Sequence, residues 1–154
     1  MAKRFRQHKP TVRDGAVALC DHVRAIAGAA REKYGPVIDL AAMHCILEDR
    51  RIVRYPVSLV FDDSALEDGE FAHPHPNGCA PRDVFTIFIH PFFQERPDDL
   101  PLLMAYPLVR VNYGDVASQE EAEVFGAALL GMDQDAYYDA VCRLADAIPA
   151  RVGG

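Results

Sequence analysis

An α+β domain is the fold class that the sequence predicts, and three observations predict it. Apolar residues recur at helical spacing near the start, two β-branched and aromatic runs lie in the middle, and three helical stretches close the chain. The order helix, helix, strands, three helices argues for a small antiparallel or mixed sheet packed against helices, not an alternating parallel fold. With 154 residues, half of them hydrophobic, the chain has the size of one domain and can bury a core. Residues 11–149 read as a single globular unit, between a polar N-terminal tail over 1–10 and a short C-terminal tail over 150–154.

The first helix is expected over 11–35. Thr11 and Asp14 form a candidate capping box with Asp in place of Glu, and Val17, Cys20, Val23, Ile26, Ala27, Ala30 and Tyr34 follow at helical spacing. Gly35 and then Pro36 stop it. The string VIDLAAMHCIL from Val37 to Leu47 is apolar almost all round and reads as a short buried helix. Ile52 to Phe61 is a strand, best from Val57 onward, because Pro56 belongs at an edge or bulge. An acidic loop from Asp62 to Glu70 precedes a short extended piece, Phe71 to Pro76, whose prolines disfavour a central position. Pro76-Asn77-Gly78 is a turn. Asp83 to Phe93 is the strongest strand, and residues 98–148 read as three helices separated by Gly114 and by Gly131-Met132-Asp133. Ser118 and Glu121 make a capping box for the second of these, with an apolar face of Ala122, Phe125, Leu129 and Leu130. The last uses Tyr137, Val141, Leu144 and Ile148.

A formal net charge of −7 disfavours nucleic acid or an anionic membrane as partner, since phosphate binding needs clustered Lys and Arg. The basic run Lys3, Arg4, Arg6 and Lys9 reads as a solvated tail. No stretch approaches the roughly 18 continuous apolar residues of a membrane span, and the N-terminus carries no apolar leader core, so a cytoplasmic location is expected. Cys20, Cys45, Cys79 and Cys142 are scattered without a C-x-x-C pair and read as reduced thiols, mostly core.

The segment Leu102 to Gly131, LLMAYPLVRVNYGDVASQEEAEVFGAALLG, resembles the active helix and the following helix of small zincin metallopeptidases. Those run as an apolar lead-in, H-E-x-x-H, a glycine turn and an acidic E-E-A helix, and the preceding element order resembles their N-terminal half. The resemblance puts Tyr106 at the first His, Pro107 at the Glu and Arg110 at the second His. That chemistry needs two imidazoles at i and i+4 to hold zinc, and a Glu as general base for the metal-bound water. Tyr106 is a poor ligand, Arg110 is a permanent cation, and Pro107 has no proton-accepting group. Peptidase activity by this route is excluded. Pro107 also removes the helical bond to the carbonyl of Leu103 and should kink the helix. The resemblance therefore implies a zincin-like fold in a non-catalytic role, binding a protein or small ligand. Tyr106, Arg110 and Tyr113, spaced four and then three apart, would line the cleft from one helical face.

A competing class is a small metalloprotein or metalloenzyme. His73, His75, Cys79 and His90 supply three imidazoles and a thiol, and the H-P-H spacing in an extended segment puts His73 and His75 on one side, from which a zinc or copper site can be drawn. The spacing matches no strong zinc motif. Cys79 as a nucleophile lacks an orienting Asn or Asp at recognisable spacing. Asp62, Asp63, Glu67, Asp68 and Glu70 lack the glycine and terminal Glu spacing of an EF-hand calcium loop and read as solvated, as do Glu120, Glu121 and Glu123 in a capped first turn. The pairs Phe92-Phe93 and Tyr137-Tyr138 offer candidate contact aromatics, since only one residue of the helical pair can face the core. The apolar 37–47 helix permits a homodimer. No cofactor is expected in the leading reading, and zinc in the alternative.

Overall fold

A computed structural model describes residues 12–76 and 84–149 of the protein. Among the described residues the chain forms five α-helices and a three-stranded mixed sheet, the α+β architecture expected. The Thr11–Asp14 capping pair, the Asn77-Gly78 turn and Cys79 involve positions outside the described residues.

Helix α1 runs Val12–Tyr34. Val23, Ala27 and Ala30 bury its inner stripe, whereas Val17, placed on that stripe by spacing, is 55% exposed. Gly35 completes the last helical bond by donating its N–H to the Arg31 carbonyl at 2.7 Å, an approach that leaves no room for a Cβ, and Pro36, with no N–H to offer the Glu32 carbonyl, stops the helix. Helix α2, Leu40–Glu48, begins three residues later than its apolar string. Asp39 caps it by accepting the Ala42 N–H at 2.8 Å, which leaves Val37 outside and 73% exposed. Buried Met43, Ile46 and Leu47 show that the helix has one inner face despite its uniform composition, and Cys45, expected in the core, is exposed.

Asp49, just past α2, ties the ends of α1 and α2 together. Its carboxylate accepts from Lys33 Nζ at 2.9 Å and from the Tyr34 hydroxyl at 2.8 Å, and from the Arg51 N–H at 3.0 Å. The Lys33 ammonium first, then the Tyr34 hydroxyl and the Arg51 amide, pull the carboxyl from 3.8 down to about 2. A carboxyl depressed by folding stabilises the native state above its unfolded pKa, and that contribution is lost as pH falls from 3.8 through about 2. Asp49→Asn should therefore lower the urea midpoint at neutral pH, with the gap from wild type narrowing as pH falls through this window. A gap that does not change with pH would show that the charge contributes nothing.

Strands β1 (Val57–Phe61), β2 (Ala72–Pro76) and β3 (Phe85–Ile89) lie in the order β1-β3-β2. β1 runs parallel to β3 with Val57 opposite Phe85, and β2 runs antiparallel with His73 opposite Phe88. β3 is shorter than the run 83–93 suggested. Pro91 lacks an N–H for the ladder, and His90 Nδ1 accepts the Phe92 N–H at 3.1 Å, which turns Pro91–Phe93 into a 3₁₀ turn.

Helices α3 (Leu100–Tyr113), α4 (Gln119–Leu130) and α5 (Gln134–Ala147) follow as expected. α3 is helical through Pro107 over its whole length. The Ser118–Glu121 capping box is formed, with the Ser118 hydroxyl and N–H both donating to the Glu121 carboxylate. Glu121 is consequently buried at 3% exposure, which corrects the expectation of a solvated acidic turn. Burial raises its pKa, but the bonds from Ser118 and from the backbone N–H of Glu121 itself together outweigh burial and leave the carboxyl below its usual range.

The main core gathers Val23 and Ala27 of α1, Met43 and Ile46 of α2, Ile87 and Ile89 of β3, Leu103, Met104 and Leu108 of α3, and Phe125 and Leu129 of α4. A smaller cluster of Ala127, Tyr137 and Val141 packs α5 on α4, with Leu102 and Tyr106 of α3 against it. Tyr137 is fully buried and its neighbour Tyr138 is 38% exposed, the division that helical geometry requires of adjacent aromatics.

Candidate functional site

Strand β2 forms one of the two edges of the sheet. His90 donates its N–H to the Phe71 carbonyl at 2.9 Å, and Phe85 donates to Pro56 at 3.0 Å. Alternation along β3 then turns the backbone groups of Thr86, Phe88 and His90 towards β2, and those of Phe85, Ile87 and Ile89 towards β1. Opposite them, His73 and His75 make the ladder bonds, while Ala72, Pro74 and Pro76 turn their backbone outward. The two prolines thus occupy positions where a missing N–H costs no ladder bond, and they leave Ala72 as the one outward donor of β2. An edge with carbonyls but almost no donors is a poor template for adding another strand.

Between this edge, α3 and the start of α4 lies a cleft of about 270 Å³. β2 contributes Ala72, His73 and Pro74, α3 contributes Tyr106, Pro107, Val109 and Arg110, and Ser118, Gln119 and Ala122 close the α4 side. The three positions that the resemblance sets against H-E-x-x-H, Tyr106, Pro107 and Arg110, all line it. Four residues apart, Tyr106 and Arg110 share one face of α3, and the helix carries them there because Leu103, Leu108 and Val109 are buried in the core.

Tyr106 is half-buried, with Phe71 edge-on to its ring at 5.8 Å. Burial, then the negative charge of Glu123, pushes its hydroxyl up to about 12, against a smaller opposing pull from Arg110. The hydroxyl is therefore neutral and able to donate at physiological pH. Tyr113 points elsewhere. The Arg54 guanidinium lies over its ring at 4.7 Å and His22 meets it edge-on at 5.7 Å, while its hydroxyl is buried with no hydrogen-bond partner among the described residues. Tyr106 and Arg110 thus share the cleft, and Tyr113 belongs to a separate contact between α3, α1 and the 52–54 loop.

His73 also lines the cleft, its Nδ1 3.5 Å from Glu70 Oε2. His75 packs near Phe88 at 6.3 Å, and His90 Nε2 lies 3.8 Å from Asp63. His73, His75 and His90 therefore have separate neighbours, Cys79 lies outside the described residues, and among the described residues no group of three or more His, Cys, Asp or Glu side chains is placed to hold a metal ion. No helix among the described residues is long and apolar enough to cross a membrane.

Sequence reasoning did not place Glu70, Pro74, Ser118 or Gln119 at this site. The alternation in Ala72-His73-Pro74-His75-Pro76 was the available signal for Pro74, since a strand with prolines at every second position can pair only through the residues between them. Nothing in the sequence announced that α4 would start beside β2. No protein-family profile, no curated protein and no solved structure matches this chain.

Proposed function

We propose that the chain is a non-catalytic, zincin-like binding domain of the cytoplasm that holds a small ligand in the cleft between β2 and α3. The observation that carries this reading is the cleft itself. Tyr106, Pro107 and Arg110 line one cavity where the resemblance would set a metal site, and they offer a hydroxyl and a guanidinium in place of metal ligands and a base. The proline-blunted edge of β2 favours a compact ligand over an extended peptide, because strand addition needs outward donors that Pro74 and Pro76 lack. A volume of about 270 Å³ is also small for a ligand site, below the usual range of about 300–1,000 Å³.

Arg110 is exposed, and among the described residues its side chain makes no hydrogen bond or ion pair, so its removal should not disturb the fold. Screening a small-molecule library by protein-observed NMR should find compounds that shift the signals of Ala72, Tyr106 and Gln119 together. Arg110→Ala should weaken such a compound at least about tenfold, the scale of one charged hydrogen bond, with stability changed by less than about 0.5 kcal/mol. Unfolding of Arg110→Ala would make this residue structural and remove the reading. Metal analysis of the untagged protein provides a second check, since near-stoichiometric metal would favour the histidine set instead.

A further inference from the structure

The bonding state of each polar group in the cleft indicates what its ligand must bring. Glu70 is engaged on both oxygens, Oε2 facing His73 Nδ1 at 3.5 Å and Oε1 accepting the Glu67 N–H at 3.3 Å. The Ser118 hydroxyl is held by Glu121, and Gln119 is hydrogen-bonded to Tyr138. Among the described residues the Tyr106 hydroxyl and the Arg110 guanidinium have no such partner, and both are donors on one helical face. The other arginines whose side chains are described differ, and Arg143 donates to the Asp139 carbonyl. Arg24 pairs with Asp21, Arg31 and Arg50 donate to backbone carbonyls, Arg54 covers Tyr113, and Arg96 covers Phe92. Arg51 shares its groove with the carboxylates of Glu48 and Asp49. Among the described residues Arg110 is thus a guanidinium without a carboxylate partner, in a chain of net charge −7, and the Glu70 carboxylate that lines its cleft already accepts the Glu67 N–H.

We infer that the cleft recognises an oxyanion, the carboxylate or phosphate of a small molecule, through a fork of donors made by Arg110 with a further bond from the Tyr106 hydroxyl. A guanidinium presents paired N–H groups that match two oxygens of one carboxylate or phosphate, and a neutral phenol beside it donates a third bond. Glu123 and the overall negative charge oppose anions at longer range, so a bare ion should bind weakly, with Kd about 1 mM, and the remainder of a cognate ligand supplies the rest. This inference rests on the proposed binding role of the same cleft.

The test is a titration of the full-length, isotopically labelled protein with sodium phosphate and, separately, sodium acetate and sodium succinate, at constant ionic strength balanced with chloride. Saturable shifts confined to β2, α3 and the start of α4 are expected with phosphate or with the carboxylates, and whichever saturates identifies the source of the oxyanion. Arg110→Gln should weaken that binding at least about tenfold and Tyr106→Phe about threefold, with Arg110→Lys in between because an ammonium lacks the fork. Equal shifts in wild type and Arg110→Gln would mean adventitious ion binding only and overturn the inference. Absence of saturable shifts with all three salts, alongside neutral or cationic compounds that do bind the cleft, would overturn the oxyanion and leave the binding role standing. Silence from every compound would overturn both.

Discussion

Tyr137→Ala is expected to destabilise the protein by about 3–5 kcal/mol, the scale of removing a fully buried aromatic side chain. The ring holds three helices at once. It stands on α5, lies over Gly126 of α4, and donates its hydroxyl to the Leu102 carbonyl of α3 at 2.8 Å. Tyr137→Phe keeps the packing and loses that bond, and should cost about 1 kcal/mol. The fit is tight enough that a Cβ at position 126 would sit 2.1 Å from the Tyr137 ring, so Gly126→Ala should cost about 1–3 kcal/mol despite the better helix propensity of alanine. In Gly126→Ala/Tyr137→Ala the clash disappears, and the double variant should lose clearly less than the sum of the single ones in urea unfolding. Simple additivity would mean that the ring and the glycine do not meet. Because Tyr106 packs against the same cluster, Tyr137→Ala should also weaken ligand binding at the cleft, whereas Tyr137→Phe should leave it near wild type.

Asn112→Ala should be the next most damaging change, at about 2–4 kcal/mol, because it strips two backbone groups of their partners. Asn112 is buried at the end of α3. Its Nδ2 donates to the Ile52 carbonyl at 2.7 Å, and its Oδ1 accepts the Arg54 N–H at 2.9 Å. Those partners leave one orientation of the amide, since a carbonyl demands the NH2 and an N–H demands the oxygen. The pair anchors the approach to β1 on the helix that lines the cleft. Asn112→Asp retains the acceptor for Arg54 but sets a carboxylate against the Ile52 carbonyl, so it should be no better than Asn112→Ala at neutral pH. Thermal unfolding checks both, and an Asn112→Ala protein as stable as wild type would show that water replaces these bonds.

The local elements were legible wherever one stretch of chain carried its own punctuation. Gly35 closing α1, the Ser118–Glu121 box opening α4 and the proline-limited strands all act within a few residues, and spacing reports them. The limits of spacing show at Val17, Cys45 and Glu121, where burial departs from pattern. A helical stripe says which residues share a face, but whether that face is covered depends on the length of the neighbouring element. Tyr106, Arg110 and Tyr113 separate for a related reason. At about 100° and 1.5 Å per residue the three share one narrow arc, but Tyr113 stands about 10 Å along the axis from Tyr106, where it meets His22 of α1 and Arg54 and not the cleft.

By itself, then, the sequence determined the fold class, the order of elements and the absence of any H-E-x-x-H run, because these are properties of residue type and near-neighbour spacing. Only the tertiary structure decided that β2 borders the cleft, that its prolines turn their backbone away from the ladder, and that Arg110 reaches the cleft while Tyr113 does not. These depend on contacts between residues far apart in the chain, such as Pro74 with Tyr106 across one cleft, and no local pattern encodes which distant faces will meet.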